Sequence, residues 1–219
     1  MNKKHGYFLS LSKIKCLAIA LPLLLSACGQ EQAPFADAPL YGATIGGEFA
    51  LSDQNGKKRT YSEFDGQYRI VYFGYTSCPD ICSPDMQNLM AGLIAYEQDE
   101  PELAGKIQPM FITVDPKRDT PDILDQFVQS FHPRLLGLRG DEDQTAEVAK
   151  KFAVIYNIVE PEDKSLDADN NYLVAHTQNA YLMGEDGKPL ALLPLDDTET
   201  DNNEGDPKLV QAELAKWVR

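Results

Sequence analysis

The stretch Phe73-Gly74-Tyr75-Thr76-Ser77-Cys78-Pro79-Asp80-Ile81-Cys82-Ser83-Pro84-Asp85 continues Arg69-Ile70-Val71-Tyr72, a short and nearly all-apolar run. A run of that length and composition suits a central strand buried on both faces of a sheet. Apolar residues at helical spacing come next (Met86, Leu89, Met90, Leu93 and Ile94) and predict a helix over Met86 to Gln98. The two cysteines thus follow a buried strand and open a helix. Side chains four apart on a helix share a face, so both sulfurs are expected to point toward one spot. A helix N-terminus also lowers thiol pKa, which favours thiolate, the form that binds metal or attacks disulfides.

On either side the pattern repeats. Ile107 to Val114 reads as a second strand and Leu135 to Leu138 as a third. Pro121 to Phe131 reads as a helix, with Thr120 as its cap and Pro121 as its first residue, and Asp143 to Phe152 as another. Residues 48–51 and 58–61 are expected to form a hairpin around Asp53-Gln54-Asn55-Gly56. Asn179 to Met183 and Pro189 to Leu193 predict a second hairpin turning at Glu185-Asp186-Gly187, and Lys208 to Val218 a closing amphipathic helix. Strands alternating with helices predict an α/β fold, a mixed sheet flanked by helices, with an N-terminal hairpin and a C-terminal helix. Residues 160–171 and 196–206 are acidic and poor in apolar residues, and read as surface loops.

The first 27 residues differ from the rest. Lys3, Lys4, Lys13 and Lys15 precede an apolar run of ten, Cys16 to Leu25, which is too short for a membrane span of about 20 residues and fits a signal-peptide core. The run ends in Leu25-Ser26-Ala27-Cys28-Gly29, which resembles the lipobox of bacterial lipoproteins. Residues 1–27 are therefore expected to be a signal peptide, Cys28 a lipidated residue, 28–41 a flexible tether with two prolines, and 42–219 the folded domain. With 43% hydrophobic residues, 9 Phe and 10 Tyr, the chain has ample material for a core. The full chain carries 20 basic and 34 acidic side chains; without the four leader lysines its net charge is −18. Such an acidic surface argues against nucleic acid as a partner.

Export would place Cys78 and Cys82 in an oxidising compartment, where a Cys78–Cys82 disulfide forms unless the thiols are kept reduced. A bridge four residues apart closes a tiny loop and constrains the unfolded chain little, so a purely structural role is the weaker reading. Two thiolates suit a soft metal: Cu(I) prefers them, and an added imidazole supports Cu(II). Structural zinc takes four ligands, and the mature chain offers no further free cysteine and just two histidines, His132 and His176. Taken alone, His176 reads as a hydrogen-bonded histidine near the sheet. His132 lies in a helix-to-strand turn and is not assigned to metal. Asp115, Arg118 and Asp119 read first as turn and cap formers, and second as a cluster near the site.

Three motifs add to this. Gly74-Tyr75-Thr76-Ser77-Cys78-Pro79-Asp80-Ile81-Cys82 resembles the signature of the Sco/SenC family of copper proteins. Val114-Asp115-Pro116-Lys117-Arg118-Asp119-Thr120-Pro121 resembles its second motif. Val174-Ala175-His176-Thr177, followed by Tyr181-Leu182, resembles its third. The similarity spans roughly residues 42–218. The resemblance implies a thioredoxin-like fold and one copper, Cu(I) or Cu(II), bound by Cys78, Cys82 and His176. It also implies a metallochaperone that helps assemble the dinuclear copper centre of cytochrome c oxidase. The partner would be the copper-receiving oxidase subunit or another periplasmic copper protein, met at a lipid-anchored position in the bacterial envelope. The alternative activity is a thiol–disulfide oxidoreductase that uses Cys78 and Cys82 to reduce the receiving subunit's cysteines. A thiol peroxidase would need Pro-x-x-x-Thr-x-x-Cys, and Cys78 does not sit in one. Two departures stand out: Ala175 where the family commonly has Asp, and Ser83 where it commonly has Pro.

Mass spectrometry of the mature N-terminus is expected to find cleavage before Cys28 and diacylglycerol on its sulfur. A free Met1, or an unmodified Cys28 on a soluble protein, would refute the lipoprotein expectation.

Overall fold

A computed structural model describes residues 34–161, 171–196 and 205–219, together with Gly6. The expected signal peptide, Cys28 and most of both acidic segments lie outside the described residues. No helix among the described residues is long and apolar enough to cross a membrane.

The centre of the fold is β3 (Tyr68–Gly74), buried at all seven positions. It pairs in parallel with β4 (Ile107–Thr113), from Tyr68 opposite Ile107 to Gly74 opposite Thr113. β4 pairs in parallel with β5 (Leu136–Arg139). The hairpin β1 (Ala50–Asp53) and β2 (Lys58–Thr60) forms as expected and adds to β5 antiparallel. The hairpin β8 (Ala180–Met183) and β9 (Pro189–Leu193) adds to the other side of β3, also antiparallel. The seven-stranded order is β2-β1-β5-β4-β3-β8-β9, so parallel strands at the centre carry an antiparallel hairpin on each side. Arg69 opens the apolar run yet is fully buried. Its Nη2 meets Asp65 at 2.8 Å, its Nη1 meets the Gly184 carbonyl at 3.1 Å, and its guanidinium lies 4.5 Å from the Tyr61 ring centre.

The helices are α1 (Cys82–Asp99), the short α2 (Pro101–Ala104), α3 (Pro121–Gln129), α4 (Glu142–Lys151) and α5 (Pro207–Trp217), with a 3-10 turn at Tyr61–Phe64. Thr120 caps α3 through the Ile123 N–H, as its sequence implies. α4 begins with a capping box between Asp141 and Gln144. The helix after the cysteine loop starts four residues ahead of the expected Met86. Its first turn, Cys82-Ser83-Pro84-Asp85, has Pro84 early enough to lose no helical hydrogen bond, so the Ser83 and Pro84 arrangement is accommodated there.

Two features depart from the sequence reading. The domain's packing begins before residue 42: Ala38 is buried, Phe35 packs on the core, and the Leu40 N–H donates to the Leu190 carbonyl at 3.0 Å. Apolar residues spaced through this segment give it something to bury. The second is a separate antiparallel ribbon, β6 (Tyr156–Val159) and β7 (Leu173–His176), which the sequence reading did not find. Each strand has four residues and a largely acidic segment separates them, so neither periodicity nor a turn signal marks the pair.

α1 and α5 cross at Gly92. A Cβ there would come within 2.6 Å of the Val210 Cβ and 2.8 Å of the Pro207 carbonyl. Replacing a helical glycine by alanine ordinarily gains about 1 kcal/mol. Here the obstructing atoms are backbone and a β-branched stem, which do not swing aside, so the clash wins. Gly92→Ala is expected to destabilise by about 1–3 kcal/mol, measured by chemical denaturation. A gain in stability would mean that α5 is free to shift.

Candidate metal centre

The site lies where β3 ends and α1 begins. Gly74 closes β3, and a Cβ there would meet the Cys82 sulfur and the Tyr72 ring at 3.0 Å and the Phe111 ring at 3.1 Å. Glycine at the strand end thus makes room for Cys82, which is completely buried as the first residue of α1. Cys78 is half-buried in the loop ahead of the helix. The expectation that both cysteines share a helical face is therefore corrected. The sulfurs converge because the loop folds back over the helix end. Ile81 occupies the cap position and offers no side-chain cap. The backbone N–H groups of Asp80 and Cys82 lie near the Cys78 sulfur instead and favour its thiolate.

His176 ends β7 and comes from 94 residues further along the chain. Its Nε2 lies 3.3 Å from the Cys82 sulfur. Its Nδ1 lies 3.1 Å from the Thr177 carbonyl, which can only accept, so Nδ1 carries a proton and Nε2 is the ring atom that faces the sulfurs. The ring is met edge-on by Tyr72 and Tyr75, at 6.4 and 6.1 Å between centres. The donor atoms of Cys78, Cys82 and His176 all lie within 4.8 Å of one another, and among the described residues no other such His, Cys or carboxylate group occurs. Both cysteines are free in this structure, so the expected Cys78–Cys82 disulfide is not formed in it.

The two thiols are unlike. Hydrogen bonding from Cys82 holds the Cys78 thiol well below its ordinary range, helped by His176 and the Asp80 and Cys82 N–H groups, against the cost of burial. Cys82 is pushed up by that same bond and by its own burial. One negative charge therefore settles on the outer sulfur, at a helix N-terminus.

Buried carboxylates fix the surrounding segments. Asp119 is fully buried and accepts from the Thr76 N–H at 3.1 Å, the Thr76 hydroxyl at 2.6 Å and the Thr113 hydroxyl, tying the cysteine loop to the end of β4. Burial pushes its carboxyl up, and these hydrogen bonds pull it partly back. Asp115 pairs with Arg118 and accepts from the Tyr172 hydroxyl at 2.6 Å. The Arg118 guanidinium lies 3.7 Å from the Tyr172 ring centre and donates to the Tyr172 carbonyl at 2.8 Å, which anchors the start of β7. The Tyr75 hydroxyl accepts from the Val174 N–H at 3.3 Å. The Asp115, Arg118 and Asp119 cluster thus forms turns and holds the site together; both readings of it apply.

Asp85, Tyr72 and Gln178 were not singled out in the sequence. The Tyr72 hydroxyl donates to Asp85 at 2.8 Å, and the Gln178 amide to the same oxygen at 2.9 Å. Asp85 sits one turn after Cys82, and Gln178 two residues after His176, so this bridge sets the distance between two donor segments. The one signal available was an acidic residue in the first turn of a helix next to the cysteines. His132 is buried, contacts Glu97 and accepts the Arg134 N–H at 3.1 Å, and it is not part of the metal-donor group found among the described residues. Ala175 is exposed on the ribbon face opposite His176, so the Asp common there in the family would face solvent.

Asp119→Ala would leave three donors without their acceptor, the Thr113 hydroxyl buried and the two of Thr76 partly buried. A loss of about 1–3 kcal/mol for each orphaned donor is expected. Thermal unfolding should show it, and weaker metal binding by the reduced protein should accompany it. Unchanged stability and metal binding would mean that Thr76 finds another acceptor.

The SCO1/SenC family model matches residues 37–206. A SCO2-like protein of Rickettsia felis is 40% identical over 183 residues, 81% of this chain and 83% of the relative. Bradyrhizobium japonicum ScoI, solved with copper bound, is 34% identical with a TM-score of 0.65, over 79% of this chain and 99% of that one. Two more distant structures share the fold alone. The thioredoxin domain of a thiol-disulfide oxidoreductase from Bacteroides vulgatus is 12% identical, with a TM-score of 0.52 over 80% of this chain and 96% of that one. BsSco, described as a member of the Sco family of cytochrome c oxidase assembly proteins, is 22% identical, with a TM-score of 0.53 over 80% of this chain and 95% of that one. The family model covers most of the chain and the Rickettsia relative is 40% identical over most of both chains, so the chain belongs to the SCO1/SenC family.

Proposed function

We propose that this protein is a copper metallochaperone, lipid-anchored through Cys28 in the bacterial envelope and facing the periplasm, which delivers copper to the dinuclear centre of cytochrome c oxidase. The carrying observation is the donor set, with the sulfurs of Cys78 and Cys82 and a ring nitrogen of His176 within 4.8 Å of one another. Two thiolates and one imidazole suit copper in either oxidation state, whereas structural zinc takes four ligands. Cys78 is already disposed to be thiolate, and Cys82 gives up its proton as copper binds. Cys82 and His176 are held by buried networks, while Cys78 lies nearer the surface. Three ligands leave one coordination direction for a ligand of the receiving protein. Copper then passes by ligand exchange, with no change in the carrier's covalent bonds.

A second reading has its own observation, the asymmetry of the two thiols. Cys78 is partly exposed and inclined to thiolate, as an attacking sulfur must be, and Cys82 is buried behind it as a resolving sulfur would be. In that reaction the Cys78 thiolate opens a partner disulfide and forms a mixed disulfide. Cys82 then displaces the partner's second sulfur as thiolate. Two electrons pass to the partner and a Cys78–Cys82 disulfide remains.

His176→Ala separates the two. Copper carriage needs the imidazole, and disulfide exchange does not. The variant is expected to bind Cu(II) at least about tenfold more weakly, a change of about 1.4 kcal/mol, and to lose oxidase assembly in cells. It should keep a reducible Cys78–Cys82 pair. Cys78→Ser and Cys82→Ser should lose both properties. Full oxidase activity with His176→Ala, beside inactive cysteine variants, would make the reductase reading correct and the carrier reading wrong.

A further inference from the structure

The ribbon that delivers His176 is apolar where it meets solvent. Ile155 is 71% exposed and Ile158 65%, while Val159 and Leu173 are each about half exposed. Val159 pairs with Leu173 and Asn157 with Ala175, so Val159, Leu173 and Ala175 share the outward face, with Asn157 among them. Ile155 meets the residue after the imidazole: the Thr177 N–H donates to its carbonyl at 2.9 Å, and its own N–H donates to the Thr177 hydroxyl at 3.0 Å. The apolar stripe thus begins beside His176. Ile158 lies on the other face, opposite Val174 and on the same side as His176, and is still mostly uncovered. Neither strand contains a charged residue. Ala175, where the family commonly has Asp, keeps charge away from the stripe next to the histidine. A shallow groove of about 620 Å³, lined by Ala146, Ala149, Lys150, Val154, Ile155 and Tyr156, extends the surface onto α4.

Large apolar side chains scattered singly over a surface need no explanation, but four of them gathered on one short element do. We propose that this ribbon is the docking surface for the copper-receiving protein, whose ligand-bearing segment is bordered by uncharged apolar residues that cover Ile155, Ile158, Val159 and Leu173. The proposal rests on the copper-carrier reading. What points to this occupant is continuity with the metal centre. An accepting ligand must come within bonding distance of copper, so the receiving protein must cover the rim of the site. The ribbon that supplies His176 forms part of that rim, and Ile158, on its His176 side, stands uncovered. Because the ribbon has no charges, it sets register by shape and apolar contact, and the acidic character of the chain acts over longer range.

The experiment uses the full chain in detergent, loaded with Cu(I), and the copper-free soluble domain of the same organism's copper-receiving oxidase subunit. Copper in each protein is measured after rapid mixing and separation. The double variant Ile158→Thr/Leu173→Thr keeps strand-forming residues on exposed positions, and Ala175→Asp places one charge on the stripe. Both are expected to bind one copper and to keep the parent's circular dichroism, while the double variant transfers copper about tenfold more slowly at low acceptor concentration. Ala175→Asp should slow transfer in the same direction. Transfer by both variants within about twofold of the parent overturns the docking surface and leaves the carrier reading standing. A parent that binds copper but transfers none to this acceptor defeats the carrier reading, and the docking surface with it. Loss of self-association or of vesicle binding in the variants, with transfer unchanged, overturns the proposal and assigns the face to a second copy or to the lipid surface.

Discussion

The hydrogen bonds that Asp119 receives from Thr76 and Thr113 are the constraint on which the rest of the site depends. They join the loop after β3 to the end of β4, the two central strands. A buried carboxylate with three donors is tolerable because each donor offsets part of its lost hydration. The same group is costly to disturb, since the buried Thr113 hydroxyl and the partly buried Thr76 donors would lose their acceptor. The loop carrying Cys78 is thereby fixed to a rigid sheet and does not lie free on the surface.

Around that joint, two other carboxylates do related work. Asp115, with Arg118 and Tyr172, fastens the beginning of β7. Asp85, with Tyr72 and Gln178, spans from the first turn of α1 to the segment after His176. The imidazole arrives from 94 residues away with its Nδ1 held by the Thr177 carbonyl and its flanks met by two tyrosine rings. Orientation of the donors is therefore built by neighbours that do not themselves touch metal, which is the general condition for a site that must bind without being rigidly closed.

The asymmetry of the sulfurs follows from their positions. Cys82 sits in the space that Gly74 leaves and is sealed from water, while Cys78 stands in the loop just ahead of the helix N-terminus. A thiolate is stabilised there by local N–H groups and the helix dipole together. The outer sulfur is thus the one prepared to meet an incoming partner, whichever chemistry follows.

Much of this was legible in the chain. The buried run at Ile70 to Phe73 and the helical spacing after Asp85 marked the strand and helix that frame the cysteines, because burial on two faces and a 3.6-residue period each leave a strong local trace. The hairpin at Asn55-Gly56 and the cap at Thr120 were equally readable, since turn and cap chemistry is local. The three motifs marked Cys78, Cys82 and His176 in order. The ribbon β6–β7 left no such trace: its strands have four residues each and its pairing spans an acidic segment. The roles of Asp85 and Gln178 were hidden for the same reason, as a hydrogen bond between residues 93 apart has no sequence period. The sequence by itself determined which donors are present and which elements carry them. That the sulfurs converge through a folded-back loop and not along one helical face was decided by the tertiary structure alone, because convergence depends on long-range contacts that no local pattern encodes.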